Sequence, residues 1–119
     1  MVNKILLPQE IEVFYIIPTI RKYIAINLKK QGLKQKDIAA IMMIDTSAIS
    51  QYASTKRGNK IKINKEVQKE IEKSSKNIKD PFSYIKETQR ILRHIRENCL
   101  CEIHKQISTI PKGCKSCQA

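Results

Sequence analysis

Apolar side chains return every three to four residues along most of this chain, a period that predicts helices and leaves room for a strand pairing only in the C-terminal tail. Pro8 to Phe14 carries Ile11 and Phe14 at helical spacing, and Pro18 suits the first turn of a longer helix reaching about Gln31. There Ile20, Ile24 and Leu28 recur at every fourth position with Ile17 and Ile26 beside them, and Gly32 supplies the stop. Gln35 to about Met42 predicts a short second helix, with Ile38, Ala39, Ile41 and Met42 apolar and Lys36 and Asp37 facing water. Asp45 is placed to cap a third helix through the backbone N–H of Ser47 or Ala48. That helix turns Ala48, Ile49 and Tyr52 inward and ends near Thr55.

The segment from Lys56 to Lys62 holds four basic residues and no acid, and Gly58 and Asn59 argue against a helix there, so it reads as a basic loop. Asn64 caps a fourth helix through Lys76, with Val67 and Ile71 on one face and Ile78 beyond. Asp80 followed by Pro81 starts a fifth helix reaching Asn98, on which Phe82, Ile85, Gln89, Leu92 and Ile95 or Arg96 fall near one stripe. The expected fold is all-α, a five-helix arrangement with a long C-terminal helix and a short cysteine-containing tail.

Composition narrows what such a fold is for. At 119 residues the chain makes one compact domain, or a small domain with an appendage. It carries 23 Lys and Arg against 11 Asp and Glu, a net charge of +12 that favours polyanionic partners. The excess is uneven: residues 1–79 hold 16 basic and 7 acidic residues (+9), residues 80–119 hold 7 and 4 (+3). The longest apolar run near the start, Val13 to Ile17, is stopped by Pro18 and falls far short of the roughly 20 residues that span a bilayer. A cytoplasmic, reducing location without membrane contact is therefore expected. No glycine-rich phosphate loop, no usefully spaced carboxylate pair and no Ser-His-Asp set is present, so no enzymatic activity is expected.

Residues 32–58, GLKQKDIAAIMMIDTSAISQYASTKRG, hold the most specific pattern. Ala39 precedes Ala48 by nine residues and Ile49 by ten, so a small side chain on the second helix faces the third where they cross at close range. Ile44, Ile38, Ile49 and Tyr52 fill the space beneath. The third helix is thereby held outward with short polar side chains at its start, as entry into a DNA major groove requires.

Gly32, Leu33, Gln35, Ile38, Ala39, Ala48, Ile49, Ser50, Gln51, Lys56 and Arg57 resemble the helix-turn-helix of the phage-repressor-like, xenobiotic-response-element family. Met43 stands where that family usually has its turn glycine, so the turn either strains a non-glycine residue or adopts another geometry. The resemblance implies that Thr46, Ser47 and Gln51 reach base edges with Ser50 assisting, and that Gln35, Ser54, Lys56 and Arg57 contact phosphates. Gln51 is the strongest single candidate, because a carboxamide pairs in two places with adenine, worth about 1–3 kcal/mol of discrimination.

Cys99, Cys101, Cys114 and Cys117 fall in the last 21 residues, where a reducing compartment favours a metal or iron–sulfur site over disulfides. The Cys114/Cys117 spacing lets two thiolates reach one metal, with Gly113 allowing a tight turn. Joint ligation by Cys99 and Cys101 requires the fifth helix to end by Cys99. His104, three residues after Cys101, is the alternative fourth ligand. Zinc tolerates either set, whereas an iron–sulfur cluster takes four thiolates more naturally. His94, isolated on the fifth helix, reads as a surface or satisfied histidine.

Taken with LPQEIEVFYIIPTIRKYIA near the start and the Cys-Glu-Ile-His and Lys-Gly-Cys-x-x-Cys elements of the tail, the chain resembles a group of small archaeal predicted transcriptional regulators. That resemblance implies a DNA-binding segment at 1–79 and a dimerisation helix with a cysteine tail at 80–119. It also implies a homodimeric repressor on double-stranded DNA that senses redox or iron–sulfur status. Alternatives are a helix-turn-helix regulator with a purely structural zinc site, an autoregulating antitoxin-like protein, and a thiol redox protein using Cys114 and Cys117. The last lacks the strand that normally precedes such a motif.

Overall fold

In the computed structural model the described residues are 7–53, 61–98 and 100–107, and all their regular structure is helical. The order is α1 (Pro8–Ile11), a π-helical turn (Glu12–Ile16), α2 (Ile17–Lys30), α3 (Gln35–Met42), α4 (Thr46–Ala53), α5 (Lys65–Ser75), α6 (Pro81–Asn98) and α7 (Leu100–Ile107). The all-α expectation holds for these residues.

The first two expected helices run into one another. Pro18 has no N–H, and its ring would collide with the carbonyl of Phe14 in a regular helix. The chain widens instead, and the N–H of Ile17 reaches back five residues to the carbonyl of Glu12. The wider turn resets the facing of side chains. Ile11, Ile16, Ile20, Ile24 and Leu28 are all fully buried, at spacings of five, four, four and four residues. Phe14, which shared a face with Ile11 by regular helical spacing, is left 59% exposed.

Local signals set the later helix starts. Asn64 Oδ1 accepts the N–H of Val67 at 2.9 Å, capping α5. Asp80 Oδ1 accepts the N–H of Ser83 at 2.7 Å while Ser83 Oγ accepts the N–H of Asp80 at 3.0 Å, a reciprocal pair that opens α6. These bonds, the backbone one from Ser83 first, hold the Asp80 carboxyl below the usual carboxylate range. At α4 the main-chain carbonyl of Asp45 accepts from Ala48 at 3.0 Å and Ile49 at 3.4 Å.

The core is built mainly from isoleucine and runs through the whole described chain. Ile16, Ile20, Ile24 and Leu28 from the first helices meet Ile38 and Met42 of α3, Ile49 of α4, Val67 and Ile71 of α5, Ile91, Leu92 and Ile95 of α6, and Ile103 of α7. Residues on both sides of position 79 thus share one core. Arg90 ties α5 to α6, donating to Glu70 at 3.0 Å, to Glu87 at 3.3 Å and to Ser74. The Arg90 bond keeps the Glu70 carboxyl below its ordinary range. Arg96 Nη2 pairs with Glu12 Oε1 at 2.8 Å, fastening the end of α6 to the π turn.

One expectation about the C-terminal third is corrected. On α6 the inward stripe is Tyr84, Glu87, Thr88, Ile91, Leu92 and Ile95, while Phe82 and Ile85 are 83% and 47% exposed. Leu92 and Ile95 of the expected stripe do face the core, so the expectation fails in the first half of the helix and holds in the second. Most of the tail, where a strand pairing had room, lies outside the described residues from 108 on, and residues 100–107 form α7. Its Ile103 is buried in the core, and its Gln106 carboxamide bonds both the N–H and the carbonyl of Lys62 at 2.8 Å.

Candidate nucleic-acid interface

The segment singled out by sequence forms two eight-residue helices, α3 and α4, joined by residues 43–45. Met43 makes the connection by adopting the left-handed conformation, φ 57° and ψ 40°, so the turn keeps the glycine-type geometry with a methionine. Its N–H reaches the carbonyl of Ala40 at 3.3 Å, and the N–H of Ile44 reaches that of Ala39 at 3.1 Å. Ala39 and Ala48 are both buried, 5% and 8% exposed, which lets the two backbones approach.

Ala48, Ile49 and Tyr52 form the anchored face of α4, each under one-tenth exposed. Beneath it lies Arg21 of α2, which donates to the hydroxyl oxygen of Tyr84 at 3.3 Å and also bonds Tyr52. Burial works against the Arg21 charge, and the two phenol oxygens more than offset it. The tether joins α2, α4 and α6 at one point.

On the opposite face Thr46, Ser47 and Ser50 are exposed and Gln51 is half-buried. These are the side chains expected at base edges, and the fold brings all four onto one short helix. Gln35 lies beside them at the start of α3. Its Nε2 donates to the carbonyl of Thr46 at 2.8 Å and to Ser50 Oγ at 2.6 Å, so both amide hydrogens are engaged within the protein. A phosphate oxygen only accepts, and in this arrangement Gln35 braces α4 against α3.

Lysines that the motif did not point to lie on the two helices packed against α4. Lys29 and Lys30 close α2, Lys34 and Lys36 open α3, and all are exposed. Lys29 lines a small cleft of about 40 Å³ together with Gln35, Ile38 and Ile49, which places its stem beside the brace. The signal for them was visible as four lysines within the eight residues 29–36, broken by Gln31, Gly32 and Leu33 and again by Gln35, once residues 31–33 are known to be a turn and not a spacer. Asp37 and Asp45 are the exposed acids nearby.

No family model, curated protein or solved structure matches the chain.

The remaining site residues expected from sequence divide by position. Ser54, Lys56 and Arg57 lie outside the described residues, as do Cys99, Cys114 and Cys117. Cys101 and His104 fall one turn apart on the backbone of α7, while their side chains lie outside the description. His94 is half-buried on α6, its Nε2 3.6 Å from Glu66 Oε1 across on α5. Among the described residues no helix is long and apolar enough to cross a membrane.

Proposed function

We propose that this protein is a sequence-specific DNA-binding transcriptional regulator, with α3 and α4 as its helix-turn-helix and α4 as the helix that enters the major groove. The observation that carries the reading is the split character of α4. One face is anchored by Ala48, Ile49 and Tyr52, and the other presents Thr46, Ser47, Ser50 and Gln51 amid Lys29, Lys30, Lys34 and Lys36. A helix that only covered a core would have no need of short polar groups at its exposed start with a cation-rich margin around them. In this reading Gln51 and its neighbours read bases, the lysines with Ser54, Lys56 and Arg57 hold phosphates, and Gln35 holds the reading helix in place.

The protein acts as a homodimeric repressor, pairing through α5, α6 or the tail so that two copies of α4 sit about 34 Å apart on a two-fold operator. Phe82 and Ile85, apolar and exposed on α6, support that side as the pairing face. Cys99, Cys101, Cys114 and Cys117, with His104 as the alternative ligand, hold an iron–sulfur cluster or a zinc ion. The donor chemistry fits: four thiolates, with an imidazole three residues after Cys101, are a zinc or iron–sulfur ligand set. When bound, a cluster supplies redox sensitivity and zinc supplies a structural clip.

Binding of fluorescent duplex DNA at stepped salt concentrations tests the main reading. Affinity should fall linearly on a double logarithmic plot, with a slope of about −0.9 for each phosphate neutralised. Binding that ignores salt, or no binding at all, would sink it. Iron, sulfide and zinc content of anaerobically purified protein tests the cysteine site. Less than one metal centre per chain would remove it from the proposal.

A further inference from the structure

Ser50 offers one hydrogen to donate and two lone pairs to accept with. In a helix such a hydroxyl commonly turns back onto the carbonyl four residues earlier, here that of Thr46. That carbonyl is already fully occupied: the ladder of α4 takes one lone pair through the N–H of Ser50, and Gln35 Nε2 takes the other at 2.8 Å. The second hydrogen of the same amide reaches Ser50 Oγ at 2.6 Å. The orientation of the Gln35 amide is set by Thr46, because the reverse orientation would press two carbonyl oxygens together. Ser50 Oγ is therefore accepting from inside the protein, its habitual intrahelical acceptor is taken, and the side chain stands exposed beside Ser47 and Gln51. Turned inward, its hydrogen would meet no free acceptor on Thr46, so the outward position is the favoured one for it.

We propose that Gln35 fixes Ser50 as an outward hydrogen-bond donor, and that α4 therefore selects, at the base pair Ser50 meets, an edge carrying an acceptor: purine N7, guanine O6 or thymine O4. An amine edge, adenine N6 or cytosine N4, is disfavoured there. The inference rests on the DNA-binding reading and deepens it. Serine ordinarily reads bases loosely because its hydroxyl rotates to suit any partner, and here one neighbouring amide removes that freedom. Gln35 is thus a positioning residue that sets specificity without touching a base.

The test is selection from a pool of random-sequence duplexes by the wild-type chain, by Ser50→Ala and by Gln35→Glu. Glutamate has no hydrogen to give and its oxygens are repelled by the carbonyl of Thr46, so in that variant the brace is lost and the Ser50 hydroxyl is free to rotate. At one position of the selected site, the wild type should prefer an acceptor edge by about 3- to 10-fold. Neither Ser50→Ala nor Gln35→Glu should show that preference. The bases read by Gln51 should stay the same in all three. Circular dichroism and melting of each variant establish that it folds, and if Gln35→Glu does not, Ser50→Ala still decides. Enrichment with one identical pattern in the wild type and the folded variants overturns this inference alone. No enrichment by the wild type overturns the DNA-binding reading and the inference with it.

Discussion

The α2–α3 and α3–α4 connections close with the same pair of backbone bonds but place different residues at the left-handed position. After α2, Gly32 N–H meets the carbonyl of Lys29 at 3.0 Å and Leu33 N–H that of Leu28 at 3.2 Å. After α3, Met43 N–H meets Ala40 at 3.3 Å and Ile44 N–H meets Ala39 at 3.1 Å. Gly32 has φ 94°, outside the region an L side chain tolerates, whereas Met43 at φ 57° sits within the small left-handed basin. The first turn needs glycine, and the second only prefers it, at a cost of about 1–2 kcal/mol for the side chain it carries. The residues four back from each left-handed position differ too: Leu28 is a fully buried core residue, and Ala39 is small because α4 crosses there.

Leu28→Ala removes a side chain from the centre of the core and should destabilise the protein by about 2–5 kcal/mol, read by urea unfolding. Ala39→Leu fills the crossing instead. It should lose about 1–3 kcal/mol and, because it pushes α4 off α3, weaken DNA binding far more than the stability loss explains. DNA affinity unchanged in folded Ala39→Leu would separate the crossing from function. At the turns the signs should oppose. Gly32→Ala meets no atom within 4 Å of its new Cβ, so its loss of about 1 kcal/mol is backbone strain alone. Met43→Gly relieves strain at an exposed position and should gain about 0.5–1 kcal/mol net of the added freedom of the unfolded chain. A lower melting temperature for Met43→Gly would show that the methionine side chain contributes more than its exposure suggests. The smallest effect compares helix starts. Asp80 titrates below its ordinary value, so its contribution is complete above about pH 4 and fades as pH falls through the lowered value. Asp80→Asn should flatten that part of the melting-temperature profile, while Asn64→Ala, at a neutral cap, should shift the profile without changing its slope.

Much of this could be read along the chain because it is local. The caps Asn64 and Asp80, the glycine stop at Gly32 and the bounds of α3 each depend on neighbours within four residues. The inward residues of α4 followed from period alone. The face of α6 did not: Tyr84 and Phe82 are both aromatic and two apart, and which one turns inward depends on where α3 and α5 lie. Phe14 escaped for a similar reason, since a single proline opened a π turn and rotated everything before it. Lys29 and Lys30 belong to α2 and Lys34 and Lys36 to the start of α3, and folding sets both helices beside α4.

Isoleucine spacing, turn residues and caps determined by themselves that this chain is helical, where most of its helices begin, and which short segment exposes polar groups at a helix start. Those choices are settled by dihedral preference and hydrogen bonds over a few residues. Tertiary structure alone decided that one core takes in residues from Ile11 to Ile103 and that Arg21 tethers α4 through Tyr52 and Tyr84. It also decided that Gln35 turns its amide inward onto Thr46 and Ser50, 11 and 15 residues away. Such contacts arise where helix crossings place groups distant in sequence within bonding reach, and the spacing of residues along a single helix carries no record of them.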